Sequence, residues 1–334
     1  MGKSWKLISL AAVAALLAAS CGSDTSGTTS SPGGAQPLKE VSLRLDWFFG
    51  SEHAAYFVAL QKGFFKDAGL DVEIQEGSGS STALKLVANG SSTFGIVGAG
   101  TVLTGATEGV PVQAVAGIFQ ETPSAVCYDK ADPISELTDM YGKTFADDPA
   151  SVSHNEWEAV AALNDVDTSK ITSIAIKSGS DVQVMLTRKV DLLNCWTINQ
   201  AMELQLKGFP VGYLTFSSLG LHIPGSSLVT NMETIAENPD MVRGFVEAVI
   251  EGWEYTLAHT DEALSILYDY QPNIDQEYNT TKMPLVLDLV RSDRVGYMDP
   301  AKWATLKEIY LDTKVITKDV DIDAVFTNQF VPTA

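Results

Sequence analysis

Asp46-Trp47 brings together two groups of use to a ligand: a carboxylate that accepts hydrogen bonds and an indole face that stacks on flat rings. The pair closes a strand-like run, Val41–Asp46, at the edge where α/β sheets gather their binding groups. His53 and Tyr56 follow one helical turn apart, so a ring nitrogen and a phenol can share one face toward the same edge. Each has an ordinary competing role: Asp46 as a turn cap, Trp47 and Tyr56 as packing. Ser80, in Gly77-Ser78-Gly79-Ser80-Ser81, offers hydroxyls and backbone amides at a helix start, fit for an anion or for simple capping. Gly98-Ala99-Gly100 and Phe119-Gln120-Glu121 mark two further strand ends, with Gln120 and Glu121 either touching ligand or steadying a hinge. Asn194 and Trp196 end a later strand and are expected to form the opposite wall. Trp47 and Trp196 facing each other would hold a planar ring between them.

Signatures of catalysis are poor. Gly98-Ala99-Gly100 is not a dinucleotide fingerprint, because Leu103 stands where the third glycine belongs. No Gly-x-Ser-x-Gly elbow occurs, and His53, His154, His222 and His259 lie far apart with no metal-ligand spacing. The expectation is no catalytic residue, no metal and no cofactor.

Positioning these groups requires alternating strands and helices. Strands are read at Val41–Asp46, Leu70–Ile74, Phe94–Val97 and Val112–Ile118, with helices at His53–Gln61, Ser80–Asn89 and Thr101–Thr107 between them. That order implies a mostly parallel sheet with helices on both faces. After Pro123 a second series offers strands at Ala125–Tyr128, Lys143–Ala146, Ile171–Ile176 and Val190–Trp196. The last third reads as helical. Asn238-Pro239 is a start signal, and Met241, Val242, Phe245, Val246, Val249, Ile250, Trp253 and Leu257 recur at helical spacing.

The amino terminus carries Lys3 and Lys6, an apolar run Leu7–Leu17, and Ala18-Ala19-Ser20-Cys21, the pattern of a bacterial secretory signal with lipidation at Cys21. That run falls short of the roughly 20 apolar residues that span a bilayer. Gly22–Leu38 is rich in Ser, Thr, Gly and Pro and reads as a tether reaching about 20–25 Å. The formal charge of −20 becomes −22 without residues 1–20, which hold Lys3, Lys6 and no acid. Such acidity argues against nucleic acid or an anionic membrane surface as partner. Cys127 and Cys195, two scattered cysteines, give no disulfide framework; pairing in an oxidising compartment and buried free thiols are both open, with unpaired thiols the favoured expectation.

The blocks Leu45-Asp46-Trp47, His53, Tyr56, Lys62-Gly63-Phe64-Phe65 and Ala68–Ile74 resemble the opening signature of one family. That family comprises solute-binding proteins of ABC importers for thiamine pyrimidine precursors, with nitrate-, sulfonate- and taurine-binding relatives. The resemblance continues through Thr82–Gly90, Gly109–Val112, Glu237–Tyr255, Met298-Asp299-Pro300 and Phe326–Phe330, and is weakest between Cys127 and Phe216. It implies an α/β, two-lobed periplasmic-binding-protein fold of the Venus-flytrap kind, with two crossover strands near Gln120–Ala125 and Leu214–Leu228. Expected divisions are a signal over 1–20, lipidated Cys21 and tether over 21–38, one lobe over 39–122 with 218–334, and the other over 123–217. By the same resemblance the ligand is a small planar heterocycle, an aminopyrimidine before a flavin, with sulfonate, taurine or nitrate as rivals. An ABC permease and ATPase would be the partner of a monomer held to the membrane by its lipid alone, outside the cytoplasm. One branch is an enzyme, the fungal thiamine pyrimidine synthase. Its reactive lysine and histidine positions correspond here to Val97 and Thr101, and its Cys-rich motif is missing near Ser217–Gly225.

Overall fold

A computed structural model describes residues 37–333. The signal-like segment and Cys21 lie outside the described residues. The first sheet contains β1 (Lys39–Arg44), β2 (Leu70–Gln75), β3 (Phe94–Gly98), β4 (Val112–Gly117) and β10 (Ser226–Asn231). The second contains β5 (Ser124–Asp129), β6 (Thr144–Asp147), β7 (Thr172–Ala175), β8 (Leu192–Trp196) and β9 (Val211–Thr215). Their orders are β2-β1-β3-β10-β4 and β7-β6-β8-β5-β9. This is the α/β periplasmic-binding-protein architecture of two mixed sheets.

Neither sheet is purely parallel. In the first, β1 runs parallel to β2 and β3, while β10 opposes both β3 and β4. In the second, β6 runs parallel to β7 and β8, while β5 opposes β8 and β9. The two reversed strands are the ones the chain enters on crossing from one sheet to the other. Arriving from the cleft edge, they run away from it, whereas their neighbours run toward it. Strands β9 and β10 have no counterpart among the sequence-derived strands. The crossing segments, 118–123 and 216–225, lie side by side: Gly225 N donates to Phe119 O at 3.0 Å and Thr122 N to Ile223 O at 3.2 Å.

Beneath the first sheet, the helix Pro239–Ala258 buries Val242, Phe245, Val246, Val249 and Trp253 completely. Phe245 stacks on Phe94 with ring centroids 3.7 Å apart. Burial of each such side chain is worth roughly 1.5–3 kcal/mol, enough to fix the helix on the sheet. Pro239 opens that helix, but Asn238 does not cap it; its Oδ1 accepts from Lys39 Nζ at 2.5 Å instead.

The expectation for the cysteines is overturned. Cys127 and Cys195 form a disulfide between adjacent strands β5 and β8, with Cα atoms 6.0 Å apart. In that antiparallel pair Cys195 lies opposite Ala125 and Cys127 opposite Leu193, so the two are diagonal neighbours on one face. A separation of 68 residues in sequence hides the pairing until the register is known. Another apolar group joins both sheets. Val97 and Leu103 pack with Val126 and Phe145 and with Trp303 and Tyr310 of the helix Pro300–Asp312.

Candidate functional site

Between the sheets lies a slot of about 30 Å³. One wall is Asp46, Trp47, Gly79 and Ser80, from the ends of β1 and the loop after β2. Asp148, Ser151–Ser153, Ile176, Asp181, Asn194, Trp196, Asn199 and Gln200 form the other, from the ends of β6, β7 and β8. Ligand sites of small molecules are usually about 300–1,000 Å³, so admitting one requires the walls to part. Past Trp47, Asp181, Asn199 and Gln200 the slot adjoins an outer recess of about 330 Å³ that also involves Glu52, Tyr278 and Lys282.

Polar contacts hold the walls together. Ser178 Oγ donates to Ser78 O at 3.1 Å and Ser81 N to Ala150 O at 3.3 Å. Lys282 Nζ donates to Asn199 Oδ1 at 3.0 Å, and Tyr278 OH reaches the same oxygen at 3.4 Å. Two glycines permit this approach. Gly79 has φ +115°, and a Cβ there would stand 2.7 Å from Ala150 O. A Cβ on Gly98 would stand 2.3 Å from Val152 Cγ2.

The structure brings together five of the ten residues singled out from sequence. Asp46 is 5 % exposed; its Oδ1 meets His53 Nε2 at 3.2 Å and its Oδ2 accepts from Ser226 Oγ at 3.3 Å. Trp47 lines both the slot and the outer recess. Ser80 lines the slot while its Oγ accepts from Gly98 N at 3.1 Å. Asn194 donates through Nδ2 to Asp147 Oδ1 and Ser153 O, and Trp196 packs its ring edge-on to Phe119 at 6.2 Å.

The other five stand outside the slot. His53 does not line the slot; it is buried with its Nε2 against the Asp46 carboxylate. Tyr56 is fully buried against Trp253, ring centroids 6.0 Å apart. Burial, reinforced by the Asp46 charge, holds its hydroxyl well above the usual phenol range. Gly98 stands against Val152 without reaching the slot. Gln120 O and Glu121 Oε1 accept from Lys302 Nζ at 2.8 and 3.0 Å, which ties the first crossing to the C-terminal helices.

Residues missed in the sequence include Asp148, Ser151, Ser153, Asp181, Asn199 and Gln200. The signal was available for some of them. Asp148-Pro149-Ala150-Ser151 follows β6 directly and leads into the helix Val152–Leu163, the same strand-to-helix turn that marked Trp47 and Ser80. Asp181 carries no such mark; Gln200 Nε2 donates to its Oδ2 at 2.6 Å, and burial raises its carboxyl above the usual range, with Asp148 adding to the shift. Among the described residues no group of three or more His, Cys, Asp or Glu is placed to hold a metal.

Comparison with known proteins agrees with this fold. The chain is 24 % identical to the riboflavin-binding protein RibY of Chloroflexus aurantiacus over 98 % of each chain. It is 23 % identical to the formylaminopyrimidine-binding protein of Halalkalibacterium halodurans, covering 90 % of this chain and 91 % of that one. A 4-amino-5-hydroxymethyl-2-methylpyrimidine phosphate synthase of Legionella pneumophila is 21 % identical, over 87 % and 92 %. Among solved structures, the aliphatic sulphonate binding protein SsuA of Escherichia coli superposes with TM-score 0.68 at 14 % identity, over 86 % and 91 %. The nitrate-binding protein NrtA of Synechocystis gives TM-score 0.69 at 13 % identity, over 88 % and 87 %. The family model described as NMT1/THI5 like matches residues 50–263, and with most of the chain inside that match the protein belongs to the NMT1/THI5-like family.

Proposed function

We propose that this protein is the extracytoplasmic solute-binding component of an ABC importer, closing on a small flat nitrogen heterocycle and handing it to a permease. One observation carries the reading: Trp47 from the first sheet and Trp196 from the second line a single slot bounded by polar side chains. Relatives named for riboflavin and formylaminopyrimidine support a heterocycle. We place an aminopyrimidine thiamine precursor first and a flavin second. A sulfonate, taurine or nitrate ligand is disfavoured because, among the described residues, no lysine or arginine lines the slot. Arg188, the candidate arginine for such an anion, is instead paired with Asp129 and largely exposed.

Turnover is not part of this reading. Val97, at the position of the synthase branch's reactive lysine, is wholly buried, and neither it nor Thr101 lines the slot. Attachment to the membrane through a lipid on Cys21 follows from the residues around it. The variant Cys21→Ser should move the protein from the membrane to the soluble fraction of producing cells; a variant that stays membrane-bound refutes the anchor.

Calorimetric titration with an aminopyrimidine, riboflavin, taurine and nitrate tests the ligand class. Aromatic contact beyond area is worth roughly 0.5–1.5 kcal/mol, and lost burial adds about 1–2 kcal/mol. Trp47→Ala and Trp196→Ala should each weaken heterocycle binding by about one to two orders of magnitude. Binding of only the anions, or unchanged affinity in both folded variants, would sink the proposal.

A further inference from the structure

We infer that the slot selects its ligand by an N–H donor edge and rejects anions, and that Asn194, Asp148 and Asp181 set this preference. The inference rests on the binding-protein reading above and names the chemistry of the ligand that site takes. Asn194 is 6 % exposed and lines the slot. Its Nδ2 donates to Asp147 Oδ1 at 2.9 Å and to Ser153 O at 2.8 Å. Both partners are acceptors, so the amide cannot be turned round without setting oxygen against oxygen. Asp147 is itself held by His154 Nδ1. Asn194 Oδ1 is thereby the end left over, buried at the slot wall with no donor among the described residues. A buried acceptor of this kind is satisfied by a donor from the ligand.

The charge around it points the same way. Asp46, Asp148 and Asp181 all line the slot. Asp46 meets His53 and Ser226, Asp148 accepts from Ser178 Oγ and Ala150 N, and Asp181 accepts from Gln200 Nε2 and Val182 N. None of the three is paired with a lysine or arginine among the described residues. Opposing them, the helices Ser80–Ala88, Val152–Leu163, Asp181–Leu186 and Gln200–Leu206 start at the slot. Each helix start carries at most about half a positive charge, so the four together amount to at most about two. Three carboxylates outweigh that. The ligand class is therefore a nitrogen heterocycle with an amino or ring N–H group, neutral or protonated, and a sulfonate or nitrate at the same depth meets like charge. SsuA and NrtA share the fold and are named for anions; the charge lining this slot, not the fold, makes the difference.

Calorimetry on the purified chain tests this with matched probes. One pair is 4-amino-5-hydroxymethyl-2-methylpyrimidine and the analogue with methyl in place of the amino group. The other is riboflavin and its N3-methyl derivative, with taurine and nitrate as anion controls. For whichever heterocycle binds, loss of the N–H should weaken binding roughly ten- to a hundredfold. Asp148→Asn with Asp181→Asn, isosteric changes checked by melting temperature, should shrink that ratio severalfold. Equal binding of both members of the pair, or a ratio unmoved in the folded double variant, overturns this inference and leaves the binding-protein reading standing. Tighter binding of an anion than of any heterocycle overturns both.

Discussion

Glu52 and Glu156 stand on opposite sides of the cleft and are almost equally buried, at 4 % and 1 % exposed, yet their carboxyls are driven in opposite directions. Burial pushes Glu52 up, but Lys282 Nζ at 2.5 Å, with His53 nearby, pulls it below the usual carboxylate range. Among the described residues, Glu156 pairs with no cation and its Oε1 has no partner. It accepts from Thr122 Oγ1 at 2.7 Å, and burial lifts it to about 7. Depth alone does not decide the charge state of a buried acid; the identity of its neighbour does. Both sites also touch the relation between the two sheets. Lys282 reaches Asn199 on the far wall, and Thr122 belongs to a crossing segment while Glu156 lies on the helix whose start lines the slot.

The strongest way to break this comparison is to remove the cation. Lys282→Met leaves Glu52 buried and unpaired, and losing one partner of a buried pair costs about 3–5 kcal/mol. It also removes the bond to Asn199 that joins the walls at the outer recess. Lys282→Met combined with Glu52→Gln should recover most of the loss, because no charge is then stranded. Urea denaturation of the two variants measures this. Equal destabilisation of single and double variants would mean that packing, and not stranded charge, dominates at this site.

The difference between the two sides also governed what could be read from the sequence. The first wall is contiguous: Asp46 and Trp47 end one strand, and Gly79 and Ser80 begin the next helix, so the strand-end rule finds them. The second wall is assembled from stretches around 148–153, 176–181 and 194–200, within the region where the family resemblance is weakest. Asn194 and Trp196 were visible as a strand end, whereas Asp181 owes its place to a short helix that only tertiary packing positions. His53 and Tyr56 illustrate the converse. Their one-turn spacing correctly puts them on one face, but that face turns toward Asp46 and Trp253, a distinction that helical spacing cannot make. The order of strands was largely legible, while the reversal of β5 and β10 and the disulfide depend on register, which local patterns do not carry.

Glu156 supplies the smaller and more discriminating test. Burial lifts its carboxyl to about 7 in the folded protein, from an ordinary value of 4.5. Between those values the folded state holds a proton that the unfolded state has released, so stability is greatest below about 4.5, falls as pH rises through about 7, and is level above. The full difference is on the order of 3 kcal/mol at 1.36 kcal/mol per pH unit. His154, raised by its hydrogen bond to Asp147, slopes in the same direction, so the wild-type profile alone is ambiguous. Comparison with Glu156→Gln removes the ambiguity. Glutamine still accepts from Thr122 and carries no charge to desolvate, and the His154 contribution is common to both proteins. At pH 5 the two should be within about 1 kcal/mol of each other; by pH 8 the variant should be more stable by about 2–3 kcal/mol. Chemical denaturation at the two pH values decides it. A difference independent of pH would show that Glu156 does not titrate in this range, and the contrast with Glu52 would then rest on hydrogen bonding alone.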